Sequence, residues 1–244
     1  MAVIQGSNIT KYFGSELIFK GLNFSANEKE RVAIVGPNGC GKSTLIKMII
    51  GEESISANPA NEQPGEISIP KNIVVGYLSQ KVINDANNTL YDEAIDVFKD
   101  QIKREKELEL LANKMALEPN NEDLHNEYAK KLNYFEANGG YDYHYLIEMI
   151  LLKFGFKKED FNHKISSFSG GERTKMAFAK LLLIKPDLLI LDEPTNHLDI
   201  STIDWLEDYL KNYPGTILFV SHDRYFINSL ANRIFEIENK ELNI

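Results

Sequence analysis

Hydrophobic residues in the first third of the chain come in short runs that polar residues interrupt. Such runs are typical of β-strands, in which successive side chains point to opposite faces. They predict a small β-rich layer at the start of the chain. Residues 52–65, rich in Ser, Asn, Pro and Gly, predict an exposed loop. The runs include residues 3–4, 17–19, 22–25, 32–35, 67–69 and 73–78.

Residues 89–138 follow a different pattern, with dense charge, no glycine before residue 139 and hydrophobic residues at helical spacing. The pattern predicts an α-helical hairpin inserted into an α/β domain. Two interpretations remain open: the hairpin covers the core, or it is an arm that binds a partner. The predicted boundaries are an N-cap at Thr89, a turn at residues 118–121 and an end at residues 138–140.

Beyond Tyr141 the pattern alternates between helical and strand-like segments. Helix–strand alternation indicates a mostly parallel sheet with helices on both faces. The predicted fold class is therefore α/β, with a mixed or parallel sheet core, an antiparallel β layer and an α-helical subdomain. The predicted segments are helices at 142–154, 172–184 and 202–211, and strands at 188–191 and 216–220.

Composition excludes several classes of protein. The 244 residues carry a formal net charge of −9, which argues against a general nucleic-acid binder. A single cysteine, Cys40, rules out an internal disulfide. No apolar run approaches the ~20 residues of a membrane span, and the first residues lack the features of a signal peptide. We expect a soluble, cytoplasmic protein without membrane insertion.

The strongest chemical signal is a match to G-x-x-x-x-G-K-[ST], the phosphate-binding loop of nucleoside triphosphatases. A predicted strand precedes it and a predicted helix follows it, so backbone N–H groups and a helix N-terminus would face phosphate oxygens. This context argues against a chance glycine-rich turn. Lys42 would reach the β- and γ-phosphates, and the Ser43 hydroxyl would ligate Mg²⁺. The loop comprises Gly36, Pro37, Asn38, Gly39, Cys40, Gly41, Lys42, Ser43 and Thr44.

A second signal is a pair of carboxylates, Asp192 and Glu193, at the end of the predicted strand 188–191. Ligands of open α/β sheets bind beyond the carboxyl ends of the strands. Asp192 is therefore a candidate Mg²⁺ ligand, and Glu193 is the candidate general base for an attacking water. Taken alone, the pair could equally be a solvated acidic turn, but the phosphate loop favours the catalytic interpretation.

A third signal opens the helix that begins near residue 172. Its members could form an anion cradle at a helix N-terminus or an ordinary N-cap with a flexible entry. The residues are Ser169, Gly170, Gly171 and Glu172.

Taken in order, these motifs resemble those of ATP-binding cassette (ABC) proteins over essentially the whole chain. The resemblance implies a phosphate-loop ATPase fold with ATP and Mg²⁺ as cofactors. It also implies one nucleotide-binding domain over residues 1–244, with a core at about 1–88 and 158–244 and a helical subdomain at about 89–157.

The resemblance also assigns roles to single residues. Gln80 is similar to the glutamine that touches Mg²⁺ and the attacking water. His222 is similar to the histidine that contacts the γ-phosphate, and Asp199 to the aspartate of the D-loop. Phe13, or less favourably Tyr12, is similar to the aromatic residue that stacks on adenine.

In ABC proteins the signature of one domain, here residues 168–172, closes over ATP bound to another domain. The resemblance thus implies that hydrolysis needs a second cassette, from the same full-length chain or a homodimer.

Three motif sequences resemble those of the ABC-F subfamily, at residues 192–199, 169–175 and 221–226. Asn196-His197 replaces the Ser-Ala usual in transporter domains. Members are soluble ATPases with two cassettes, and they bind the ribosome as translation factors or as antibiotic-resistance proteins. The resemblance implies the N-terminal cassette of such a protein, with the ribosome and its RNA as partners. The alternative is the ATPase subunit of an ABC transporter.

Overall fold

The computed structural model describes residues 1–56, 65–78, 87–196 and 198–244. Two compact units divide the chain: Met1–Gln80 with Ile184–Ile244, and Lys81–Leu183. We call them the core unit and the helical unit. Among the described residues, no helix is long and apolar enough to cross a membrane.

The antiparallel layer of the core unit is a three-stranded sheet in the order β2-β1-β4. The first two strands pair along most of their length and end in a hairpin at Phe13 and Glu16. This sheet confirms the β-rich layer predicted from the interrupted hydrophobic runs. Its strands are β1 Ala2–Phe13, β2 Glu16–Asn27 and β4 Glu66–Ser68.

The larger sheet of the core unit has the strand order β5-β6-β7-β3-β8-β9. All of its pairings are parallel except the last, between β8 and β9, so the predicted mixed sheet is confirmed. Apolar side chains of both sheets and of the first helix share one buried cluster. The strands are β3 Arg31–Val35, β5 Val75–Tyr77, β6 Leu188–Asp192, β7 Thr216–Val220, β8 Arg233–Glu238 and β9 Glu241–Asn243.

The helices of the core unit follow strands β3, β6 and β7, as the alternating pattern predicts for a parallel sheet. They are α1 Lys42–Ile49, α7 Ile200–Lys211 and α8 Arg224–Leu230. The sequence pattern did not predict α8, β8 or β9, although Phe235 and Ile237 alternate with exposed glutamates in the manner of a half-buried strand.

The helical unit contains the predicted hairpin. Thr89 caps α2 by accepting a hydrogen bond from the backbone N–H of Asp92, and residues 118–121 form the turn between the two long helices. Both predictions are confirmed. The helices are α2 Leu90–Ile95, α3 Lys99–Leu117, α4 Glu122–Ala137, α5 Asp142–Lys153 and α6 Gly170–Ile184.

The hairpin is largely solvent-exposed. Its buried residues are Leu108 and Leu111 on α3 and Phe135 on α4. Leu117 is 83% exposed and Tyr134 is 56% exposed. A pair of helices that covered a core would bury a continuous apolar stripe, so this exposure favours the arm over the cover.

The helical unit extends further along the chain than the subdomain predicted at about 89–157. It includes residues up to Leu183, and therefore most of α6. Contacts inside the unit explain the difference. The rings of Phe154 and Phe178 lie 5.3 Å apart, and Lys180 forms a buried ion pair with Glu93 at 2.5 Å. These contacts hold α6 against α5 and α2.

Candidate functional site

The glycine-rich loop lies between β3 and α1, as its sequence predicts. Gly36 and Gly41 adopt positive φ angles of 148° and 103°, a region that favours glycine. A Cβ on Gly36 would lie 2.4 Å from the carbonyl oxygen of Ile237, and one on Gly41 would lie 2.6 Å from Ile18. The loop therefore sits tightly against its own unit, which fixes the direction of its N–H groups.

Lys42 is the first residue of α1, and it is only 8% exposed. Its ammonium group donates to the carbonyl oxygens of Gly36 at 2.9 Å and Pro37 at 3.0 Å. A lysine ammonium group has three N–H donors. These two hydrogen bonds use two of the three donors and orient the ammonium group across the loop. The basic group is thus held where the loop would surround a phosphate.

The two predicted carboxylates lie at the end of strand β6: Asp192 is its last residue and Glu193 comes directly after it. Asp192 pairs with Val220 of the neighbouring strand β7, so the two strands end at the same edge of the sheet. Burial, together with the nearby carboxylates of Asp192 and Glu52, raises the pKa of the Tyr77 hydroxyl. Asp192 and Glu193 give this edge of the sheet two carboxylates, and oxygen ligands of this kind suit a divalent cation.

Glu193 has an unusual backbone for a residue with a side chain. Its φ angle is +51°, and its N–H donates to the carbonyl oxygen of Val220 at 2.9 Å. Such a conformation costs about 1–3 kcal/mol and often occurs at functional sites. It turns the chain at the strand end, where the carboxylate meets the segment after β7.

His222 contacts both oxygens of the Glu193 carboxylate. Its backbone N–H donates to Oε2 at 3.2 Å, and its ring Nε2 lies 3.3 Å from Oε1. The ring is within ion-pair distance but does not meet hydrogen-bond geometry. Within the described part of the chain, the buried Oε1 therefore has no hydrogen-bond partner. Buried polar atoms normally have one, so this oxygen is suited to a water or a ligand.

These groups line one cavity of about 440 Å³ in the core unit. It brings together six of the predicted phosphate-loop residues, both carboxylates and His222. Two lining residues were not among the predicted site residues, Asn196 and Val220. Asn196 lies within the motif at residues 192–199 and Val220 directly precedes the motif at residues 221–226, so the motifs could have identified both. The lining residues are Asn38, Gly39, Gly41, Lys42, Ser43, Thr44, Asp192, Glu193, Asn196, Val220 and His222.

Several predicted residues do not line this cavity, namely Phe13, Gly36, Pro37, Cys40 and Asp199. The Gln80 prediction lies outside the described residues, as does the predicted motif position 197.

Asp199 is the N-cap of α7. Its carboxylate accepts hydrogen bonds from the backbone N–H of Thr202 at 2.9 Å and from the Ser201 hydroxyl at 2.6 Å. The predicted D-loop aspartate therefore orders the start of a helix in this chain.

The segment that opens α6 belongs to the helical unit. The Ser169 hydroxyl donates to Oε2 of Glu172 at 2.7 Å, and the Ser169 backbone N–H donates to the same oxygen at 2.8 Å. These hydrogen bonds from Ser169 lower the pKa of the Glu172 carboxyl. The arrangement is that of a capping box, the N-cap alternative that the sequence left open.

Gly170 and Gly171 are exposed, and a Cβ on either would meet no atom of the described residues within 4 Å. Neither has a positive φ angle. Within this chain, a side chain would therefore fit at both positions, in contrast to Gly36 and Gly41.

Comparison with known proteins places this geometry in context. The sequence profile described as "ABC transporter" matches residues 19–196. YdiF of Bacillus subtilis (strain 168) is 41% identical over 243 residues, covering 99% of this chain and 37% of YdiF. The ABC transporter F family member 5 of Arabidopsis thaliana is 34% identical over 238 residues, covering 95% of this chain and 33% of that protein.

The chain thus spans about a third of the length of these curated relatives. A solved structure titled "Structure of ATP binding subunit of ABC transporter" superimposes with a TM-score of 0.66 at 20% identity, covering 99% of this chain and 88% of that one. At that identity the likeness shows the fold alone, and it confirms the predicted fold class.

Proposed function

The chain belongs to the ABC transporter family, whose cassette domains bind ATP and hydrolyse it, and from this premise we propose a more specific role. The chain is a cassette of an ABC-F protein. It acts with a second cassette as an ATP-gated clamp on the ribosome, in translation or in protection against an antibiotic. The observation that carries the ATPase part is the cavity shared by the phosphate loop, two carboxylates and His222.

The residues of the cavity fit a nucleotide with its metal ion. Ser43 and Asp192 offer oxygen donors in the same cavity, which is the ligand chemistry that Mg²⁺ prefers. When bound, Mg²⁺ neutralises charge on the β- and γ-phosphates. Lys42 adds positive charge, and the N–H groups of the loop bind phosphate oxygens.

Glu193 is placed to activate water. Its Oε1 is buried and has no hydrogen bond within the described residues, whereas Oε2 is held by the N–H of His222. Oε1 would accept a proton as the water oxygen bonds to the γ-phosphorus and the bond to the leaving ADP oxygen breaks. The His222 ring, next to the same carboxylate, would contact the γ-phosphate.

Phe13 is the better candidate for stacking on adenine. It is 47% exposed at the end of β1, whereas Tyr12 is half-buried and its backbone N–H donates to the Ser56 hydroxyl. An exposed ring can offer a face to a base.

A second cassette would explain the exposed signature. A Cβ on Gly170 or Gly171 would meet no atom of the described residues within 4 Å, so the part of the chain that the structure describes does not require glycine at either position. A phosphate approaching the helix N-terminus from another cassette would require the absence of side chains there. The Glu172 carboxylate would then share its Ser169 donors with that phosphate.

Two observations support the proposed ABC-F subfamily and the ribosome as a partner. These are the amino-acid sequences of the motifs and the similarity to a relative named as an F family member. The Asn196 that marks these motif sequences lines the cavity. The largely solvent-exposed hairpin of α3 and α4 would provide a surface that a partner can bind. The comparisons do not favour the alternative of a transporter subunit.

Ribosome co-sedimentation of the parent protein tests the clamp. The protein would carry Glu193→Gln and the matching change in its second cassette, so that ATP binds but is not consumed. We expect it to pellet with ribosomes in ATP and not in ADP. A matched control with Lys42→Ala in place of Glu193→Gln, which weakens ATP binding, should stay in the supernatant. Pelleting in neither nucleotide, with ATP binding intact, would remove the ribosome from the proposal and leave the ATPase.

A further inference from the structure

Lys11 is a buried cation on β1 that the proposed mechanism does not use. Its side chain is only 5% exposed. Its ammonium nitrogen lies 2.8 Å from Oε2 of Glu53 and donates to the carbonyl oxygen of Ser54 at 2.9 Å. Removing a lysine ammonium group from water costs free energy unless the group is paired. We therefore expect a buried lysine at this position to have a structural or functional role.

The same ammonium lies over the Phe13 ring, 4.9 Å from the ring centroid. This distance is within the ~6 Å range of cation–π attraction. Because the lysine is buried and Phe13 is 47% exposed, the cation lies on the protein side of the ring. The ring is therefore held from below while part of it remains open to solvent.

The open ring lies near the phosphate loop. Phe13 pairs with Glu16 across the β1–β2 hairpin, and Ile18 lies two residues further along β2. Two residues of a strand span about 7 Å. A Cβ on Gly41 would lie 2.6 Å from the Ile18 side chain, so Ile18 packs directly beneath the loop. This separation suits a nucleotide with its phosphates on the loop and its base at the hairpin.

The segment that follows α1 braces this end of β1. Besides the contacts to Lys11, the N–H of Ser56 donates to the carbonyl oxygen of Thr10 at 2.9 Å. The Ser56 hydroxyl in turn accepts from the N–H of Tyr12 at 3.0 Å. The helix that begins in the phosphate loop thus leads into the residues that hold Lys11 and the strand end.

We propose that Lys11, held by Glu53, is a positioning residue for the base of the nucleotide. It fixes the Phe13 ring and draws π-electron density toward its buried face, so that the open face stacks more strongly on the electron-rich adenine. Fixing the ring before binding also lowers the entropy cost of ordering it. The inference rests on the proposed ATP site.

Calorimetric titration of the 244-residue chain with Mg²⁺ tests it, using ATP and inorganic triphosphate as ligands. Lys11→Met keeps the length of the side chain and removes the charge. We expect the Kd for ATP to rise about three- to tenfold and the Kd for triphosphate to stay unchanged. Lys11→Arg, which retains a cation for the ring, should preserve most of the ATP affinity.

A double-mutant cycle separates positioning from general damage. In a Phe13→Ala background, Lys11→Met should have no further effect on ATP binding, because the ring through which it acts is gone. Lys47→Met is the matched control: it removes an exposed cation that also acts on the Glu53 carboxylate, without a ring contact. It should bind both ligands as the unchanged chain does.

Three outcomes would overturn the inference: an unchanged ATP Kd in Lys11→Met, an equal loss for ATP and triphosphate, or a loss that persists in Phe13→Ala. If Lys11→Met does not fold, Glu53→Gln weakens the same anchor from a partly exposed position and should give a smaller, base-dependent loss. Failure of the unchanged chain to bind ATP would instead refute the proposed function itself.

Discussion

Two glycine-rich segments open helices in this molecule, and they differ in how far their own chain explains them. In the phosphate loop, a Cβ on Gly41 would collide with Ile18 and Phe19, and Lys42 is buried against loop carbonyls. In the signature segment at the start of α6, a Cβ on Gly171 would meet no atom of the described residues within 4 Å. Among the described residues, contacts within the chain require glycine in the first segment but not at Gly171 in the second.

The difference indicates where each segment finds its ligand. The phosphate loop opens into a cavity whose other wall, Asp192 to His222, comes from the same unit. The signature is exposed, and its cap is satisfied internally by Ser169 and Glu172. No described residue requires glycine at positions 170 and 171, and this supports the proposed contact with a second cassette. In the proposed function, the phosphate-loop half of the site lies in this chain, and the signature would face a second cassette.

The largest expected effect tests whether the chemistry belongs to the phosphate-loop half. Glu193→Gln keeps the shape of the side chain but removes the proton acceptor, and loss of a general base costs about 10²–10⁴ in rate. We therefore expect hydrolysis by the parent protein, in its Glu193→Gln form, to fall by that factor in single-turnover assays. The affinity for ATP should stay within about threefold, since the phosphate contacts remain.

Glu241→Gln, on an exposed edge strand, is the control for the loss of a carboxylate and should hydrolyse ATP normally. Hydrolysis at the unchanged rate in Glu193→Gln would show that another residue accepts the proton. The proton acceptor would then no longer be assigned to the phosphate-loop half of the proposed site.

The next effect is on stability and concerns the packing of the phosphate loop. Gly41→Ala places a Cβ 2.6 Å from Ile18 at a φ of 103°. The positive φ costs about 1–2 kcal/mol and the overpacking about 1–3 kcal/mol. We expect the free energy of unfolding to fall by about 2–5 kcal/mol in urea titrations, with loss of ATP binding.

Gly51→Ala provides the comparison, because Gly51 also has a positive φ, of 80°, but open space around its Cβ position. It should lose only the conformational part, about 1–2 kcal/mol. Equal losses in the two variants would mean that the contacts with Ile18 and Phe19 do not matter. The loop would then be no more tightly fitted than an ordinary turn.

The sequence predicted those features that depend on local order. A strand, a glycine-rich loop and a helix in succession specify where phosphate would bind, and the turn at residues 118–121 follows from its flanking helices. Both require only neighbours along the chain. Asp192 and Glu193 lie at a strand end and line the same cavity as the phosphate loop, and the sequence indicates this place because parallel strands end at one edge.

Features set by distant contacts were not predictable in this way. β3 lies between β7 and β8, which are about 180–200 residues away along the chain, and β8 itself was missed. The positive φ of Glu193 arises where its N–H meets Val220 of the next strand. The helical unit includes most of α6, which the buried ion pair between Lys180 and Glu93 holds in place. The spacing of hydrophobic residues along the chain does not predict such a pair.

The smallest effect tests the comparison most sharply, because one substitution should leave the stability of the isolated chain intact and yet lower the hydrolysis rate of the assembled protein. Gly171→Ala adds a methyl group that meets no atom of the described residues within 4 Å, and alanine is a better helix former than glycine. The isolated chain should therefore be as stable or slightly more stable in thermal melts, with unchanged ATP affinity. In the parent protein the same methyl group would lie between the helix N-terminus and the phosphate of the opposite cassette, so we expect hydrolysis to fall at least about tenfold, which corresponds to ~1.4 kcal/mol. Destabilisation of the isolated chain would show that its own fold needs this glycine, and a normal hydrolysis rate would show that no phosphate approaches it.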